Sequence, residues 1–300
     1  MDGAMNRDTV LDTYRYLRGG VPVMLVMLGA ALIIERFRAT CWQTSISAYY
    51  FTSAHGVFIG SICAIGTLLI VYKGSKDTED VLLNLAGILA FVLAFVPTSR
   101  PVLLCGESTL PDGAVTDDAV IGNVWALVVA LAVARVASWW MYRRTGTGRS
   151  RSPLGEVAVW VQRAVLAAGL IVLILVPDWF VANAHGVAAV TMFVSFIVTV
   201  LINAFLAGRQ DEDKCPRREV YHRFYQVISL AMAATLAAAV TAHLLLNGFN
   251  HAVLVVEVAL ILEFGAYWLV QTVELWNTST RDELVDAECQ PTGERLLRAL

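Results

Sequence analysis

Charge is what this chain has least of. Asp, Glu, Lys and Arg make up 16% of its 300 residues, against about 25% in a soluble domain. So little charge cannot clothe an ordinary water-facing surface, and 57% of the residues are hydrophobic. The net charge of -3 supplies no basic field, which removes the electrostatic basis for nucleic-acid binding. Several chemistry-bearing patterns are missing too. There is no CxxC, HxxH, HxxxH or HExxH, no Gly-rich phosphate loop, no nucleophile elbow and no Arg-rich voltage-sensor repeat. A secretory signal is not evident either, because acidic and basic residues together precede the first apolar run and no small-residue cleavage site follows it.

What the chain does have is apolar length. Eight runs stand out, at 17–34, 54–72, 81–97, 119–142, 157–177, 183–206, 224–246 and 252–275. Most hold roughly 20 residues, enough for about 30 Å of hydrocarbon at ~1.5 Å per residue. The first and third are short, and Gly19, Gly20 and Pro22 blur the start of the first. The expected fold is an all-α bundle of about eight transmembrane helices, with residues 1–276 as the membrane domain and 277–300 as a polar cytoplasmic tail. Sixteen Lys and Arg lie in the two terminal segments and the second, fourth and sixth loops, against three in the remaining loops. Under the positive-inside rule this places both termini in the cytoplasm. Trp42, Tyr49, Tyr50 and Trp179 fit one interfacial belt, and Trp139, Trp140 and Tyr142 the other. Gly56-x-x-x-Gly60 is a small-residue pattern that suits close helix packing.

Two constellations carry candidate chemistry. His55, His185, His243 and His251 fall at the outer ends of spans two, six, seven and eight, with Ser45, Ser47, Asp117, Asp118 and Asp178 on the same side. Imidazoles converging from several helices at one depth could hold zinc and activate a bound water; the plain alternative is that histidine tolerates the interface. The second constellation is the last span, which contains Glu257, Glu263, Tyr267, Gln271 and Glu274. The last four follow steps of 4, 4 and 3, so they share a helical face. Glu263 falls near the bilayer midplane, where an ionisable group is a functional candidate by default. Arg135, inside the fourth span, is its candidate partner. Function and a purely structural ion pair are both open for that pair. Cys41 and Cys105 both fall in outer loops, on the oxidising side, where a disulfide can form.

The stretch Ser45-Ile46-Ser47-Ala48-Tyr49-Tyr50, then Tyr72-Lys73-Gly74, then Glu79-Asp80-Val81-Leu82-Leu83-Asn84-Leu85-Ala86-Gly87, and then Phe95-Val96-Pro97 resembles a group of actinobacterial-type multi-pass membrane proteins that carry no assigned activity. The resemblance covers roughly a sixth of the chain. It implies a bacterial plasma membrane and nothing catalytic. The outer histidines also suggest, loosely, the seven-span zinc hydrolases of the ceramidase type, but the eighth span and the missing HxxxH count against these. The expected function is transport or binding of a small-molecule substrate, with a proton-linked step through Glu263 as its sharper form. A zinc-dependent intramembrane hydrolase and a non-enzymatic scaffold are the alternatives. The bilayer is the expected partner, nucleic acid is not, and zinc is the one cofactor considered.

Overall fold

Among the described residues eight α-helices follow one another: α1 Asp2–Ala39, α2 His55–Val71, α3 Asp77–Phe95, α4 Asp117–Thr145, α5 Pro153–Leu175, α6 Pro177–Gly208, α7 Arg218–Leu245 and α8 Ala252–Glu274. A 3-10 turn at Ser47–Phe51 sits between α1 and α2. The structure, a computed structural model, describes residues 2–101, 104–106, 109–146, 151–208, 218–245 and 251–278. Among these there is no strand, only an isolated bridge between Thr52 and Thr109. Seven helices are long and apolar enough to cross a membrane, and α2, with 17 residues, is a shorter apolar one. Its two ends nonetheless meet opposite faces of the bundle. His55 bonds the Tyr50 carbonyl at the face that holds the Cys41–Cys105 disulfide, while Tyr72 lies with Arg18 and the end of α8. The outer surface is studded with exposed Val, Leu, Ile, Phe and Trp on α1, α4, α5, α6 and α8. Only a lipid environment makes such an apolar surface tolerable.

Both ends of the chain's described part lie at one face. The Arg18 guanidinium donates to the Leu275 and Thr278 carbonyls at 2.6 and 3.0 Å. The α2–α3 connection, the start of α5, the end of α6 and the start of α7 share that face, through Gly74 with Asp80, Ser152 with Asp77 and His222 with the Ala204 carbonyl. We call it the termini face, and the other the disulfide face. Cys41 and Cys105 are joined there with their Cα atoms 6.1 Å apart, and the Gln43 amide brackets the Cys105 backbone at 2.7 and 3.1 Å.

The first span differs from its sequence expectation. The helix does not begin near residue 17; α1 runs unbroken from Asp2 to Ala39, through Gly19, Gly20 and Pro22. Proline has no N–H, so the carbonyl four residues earlier, that of Arg18, loses its helical donor. The Trp268 indole N–H takes that place at 2.8 Å. A tertiary contact from α8 thus supplies what the local sequence withholds. Trp268→Phe is expected to cost about 1 kcal/mol by orphaning that carbonyl. In a Pro22→Ala background the cost should fall, because residue 22 then supplies the N–H. A double-mutant cycle by equilibrium unfolding in detergent checks this, and equal costs in both backgrounds would refute it.

α3 is the central helix, packed by α2, α5 and α6 and touched by α4. Its first turn holds Asp77, Glu79 and Asp80, where negative groups suit the positive end of the helix dipole. Asp77 accepts from the backbone and hydroxyl of Ser152 at 2.7 and 2.9 Å, fixing the start of α5. The Ser152 hydroxyl in turn caps α5 by accepting from Gly155 N–H. α2 crosses α3 at Gly66 and Gly87, where a Cβ on either glycine would come within 2.8 or 2.6 Å of the other's carbonyl oxygen. At Gly56 and Gly60 an added Cβ would meet nothing within 4 Å. The small-residue pattern seen in the sequence therefore does not make the helix contact; this second pair does.

Candidate functional site: a capped central cavity

Between α1, α2, α3, α6 and α8 lies a cavity of about 120 Å³, walled by residues such as Leu28, Phe58, Leu93, Phe196 and Phe264. Its polar lining is three side chains at the disulfide-face end: Ser47, His185 and Glu257. The 3-10 turn closes that end, with Tyr49, Tyr50 and Phe51 buried. Burial holds the Tyr49 and Tyr50 phenols above the usual tyrosine range.

Two of the three polar groups share a hydrogen bond, and the third holds the backbone beside them. The His185 Nδ1 lies 2.7 Å from the Val96 carbonyl, and Nε2 lies 2.8 Å from the Ser47 hydroxyl. A carbonyl can only accept, so Nδ1 carries the proton. In the neutral ring Nε2 then accepts, and Ser47 donates. Glu257 Oε2 accepts from the Ile46 N–H at 2.6 Å. The carboxyl of α8 thus fixes the backbone of the turn, and the imidazole of α6 fixes its hydroxyl. Phe95-Val96 ends α3, which explains how three distant segments reach one point.

The other sequence candidates lie elsewhere. His55 bonds the Tyr50 carbonyl at 2.5 Å, and His251 bonds the Gln43 carbonyl at 3.2 Å. The His243 side chain lies outside the described residues, although its backbone belongs to α7. Among the described residues no three His, Cys, Asp or Glu gather to hold a metal ion. Glu263 is half-buried on α8. Its Oε1 accepts from the Thr235 hydroxyl of α7 at 2.8 Å, and its Oε2 is buried without a partner. The expected ion pair with Arg135 is not formed, because Arg135 lines a crevice between α3, α4 and α5, and α8 packs against α1 and α7.

Tyr267 and Gln271 do share a buried face of α8, but what they meet was not evident from the sequence. Glu79 of α3, fully buried, accepts from Gln271 Nε2 at 2.9 Å, from Asn203 Nδ2 at 3.2 Å and from the Ser75 N–H at 2.9 Å. Asn203 Nδ2 also reaches the Tyr267 hydroxyl at 3.0 Å and the Thr199 carbonyl at 3.1 Å. The Tyr225 hydroxyl of α7 donates to Glu274. A Cβ on Gly74 would run into the Glu79 side chain, at 2.6 Å, so glycine lets the α2–α3 connection wrap around it. This knot ties α3, α6, α7 and α8 at the termini face.

Fold and surface together define a multi-pass, all-α membrane protein. No protein family, no curated protein and no solved structure matches the chain.

Proposed function

We propose that this protein binds, and in the sharper form transports, a small molecule through the capped central cavity. The supporting observation is the chemistry of that cavity: apolar walls ending in a hydroxyl and an imidazole that share a hydrogen bond, and a carboxyl that holds the neighbouring backbone. Its volume of about 120 Å³ is below the ~300 Å³ of ordinary ligand pockets and near the ~150 Å³ that admits benzene. The molecule is therefore one of few heavy atoms with a single polar end. Glu263, with a buried oxygen that lacks a partner, is the group for a proton-linked step. The excess of Lys and Arg in the terminal segments and alternate loops of the sequence supports cytoplasmic termini, and the sequence resemblance supports a bacterial plasma membrane.

A second reading is acyl transfer, favoured by the Ser47–His185 hydrogen bond. The Ile46 N–H, one residue before that serine, is taken by Glu257, which weighs toward binding, since an acyl-transfer site needs donors directed at the oxyanion. Zinc chemistry finds no support in the histidines whose side chains are described.

Ala189 lines the cavity, and Ala189→Leu would fill it. Protein purified from its own membranes should release a small molecule detectable by mass spectrometry, and the variant should release none. The variant should also unfold no more easily than the wild type, because the added carbons occupy empty space. The same released molecules from both proteins would defeat the proposal.

A further inference from the structure

A second unfilled space sits on the lipid side of the bundle, and its chemistry is of a different kind. α4 buries only Val120 and Val124, both near its start. From Ala132 to Gly146 every residue is exposed. The helix touches α3 and α6 and then leaves the bundle toward the termini face. The gap between α4 and α5, floored by α3, is one crevice in two parts that share Ile88, Leu131 and Leu166. The part toward the disulfide face holds about 620 Å³ and is walled almost wholly by Val, Leu, Ile, Ala and Phe. The part toward the termini face holds about 480 Å³, and its polar lining is Asn84, Arg135, Ser138, Arg151, Gln162 and Arg163. Among the described residues no acidic side chain lines either part.

We infer that this crevice is a binding site for an anionic phospholipid of the termini-side leaflet, with its acyl chains in the apolar part and its phosphate among Arg135, Arg151 and Arg163. Length supports the assignment. From Arg135 to Val124 α4 rises ~16 Å at ~1.5 Å per residue, close to half of a ~30 Å hydrocarbon core. Depth supports it as well. Trp139 and Trp140 on α4 stack under Arg143 and Arg144, and Trp160 on α5 stacks under Arg163. These rings belong at the headgroup level. Charge decides between occupants. Three arginines with no acid among the lining residues suit a phosphate, whereas a second copy of this chain docking there by two-fold symmetry would bring like charges together.

The test is native mass spectrometry of the full chain in detergent with either phosphatidylglycerol or phosphatidylcholine added. We expect retained phosphatidylglycerol and a clear preference over phosphatidylcholine. Each basic residue near a membrane surface contributes about fivefold to anionic-lipid binding, so Arg135→Gln with Arg163→Gln should lower that preference ~25-fold. Gly169 lines the apolar part, and a Cβ there would meet nothing within 4 Å. Gly169→Trp should reduce retention of both lipids while the chain stays folded. Equal retention of the two lipids, or an unchanged preference in the double arginine variant, would overturn the inference. So would displacement of the lipid by millimolar inorganic phosphate alone, which would mark a phosphate site, or a dimer that excludes lipid. The central cavity plays no part in this test, so the two proposals fail independently.

Discussion

Glu79→Ala should be the most damaging single substitution in the buried part of the bundle, lowering stability by about 3 kcal/mol. Three donors lose a shared acceptor at once: the Gln271 amide, the Ser75 N–H and the Asn203 amide, which keeps the Thr199 carbonyl and the Tyr267 hydroxyl. Hydrogen bonds between membrane helices average near 0.6 kcal/mol with a maximum near 1.7, but here the acceptor and the two amide side chains are buried, and only Ser75 is partly exposed. About 1 kcal/mol for each is therefore the working figure. The conservative change separates the polar role from packing. Glu79→Gln keeps the volume and an oxygen for the two amides, but its NH2 faces the Ser75 N–H. It should lose about 1 kcal/mol, roughly a third of the effect. Equilibrium unfolding in mixed detergent measures both. Equal losses for Ala and Gln would show that the amides contribute nothing through Glu79.

The second large effect is steric. At Gly87 a Cβ would lie 2.6 Å from the Gly66 carbonyl oxygen and 2.7 Å from Ile70 Cγ1. The oxygen belongs to a helical backbone and cannot swing aside, so Gly87→Leu must push α2 and α3 apart. That contact joins the central helix to its neighbour, and overpacking of this kind costs ~1–3 kcal/mol or more. The control is Gly56→Ala, which meets open space and should leave the unfolding midpoint unchanged. If the two variants behave alike, the crossing is not where the structure places it.

The architecture was legible because membrane crossing depends on apolar length and charge placement, both of which are local. The termini of the spans were less so. Pro22 looked like a boundary because its missing N–H must be compensated, and the compensating Trp268 is 246 residues away in the chain. The site was legible only in part. Tyr267 and Gln271 could be put on one face of α8 from spacing alone. Nothing in that spacing says that the face meets Glu79, which lies just before the expected start of the third span and reads as a loop carboxylate. Asn203 lies inside a span, where a polar side chain commonly bonds a neighbouring helix, so its position alone does not point to Glu79. Ser47 was noted only as lying on the same side of the membrane as His185, which was a candidate zinc ligand. Their contact depends on the turn at Ser47–Phe51 being held under the bundle by Glu257, an arrangement with no periodicity to betray it. Arg135 was assigned a carboxylate because an intramembrane cation needs an anion. That physical expectation stands, but the anion we assign is a lipid phosphate and not Glu263. The stretch that carries the sequence resemblance holds Ser47, Gly74, Glu79, Gly87 and Val96, so its residues serve the cavity cap, the polar knot and the helix crossing together.

The most direct test of the central claim is an experimental density map of the protein taken from its own membranes with no ligand added. The account predicts non-protein density in the central cavity, within hydrogen-bond reach of the Ser47 hydroxyl, the His185 ring or the Glu257 carboxyl. An ordered but empty cavity, with those three groups bonded as described and nothing beside them, would contradict it.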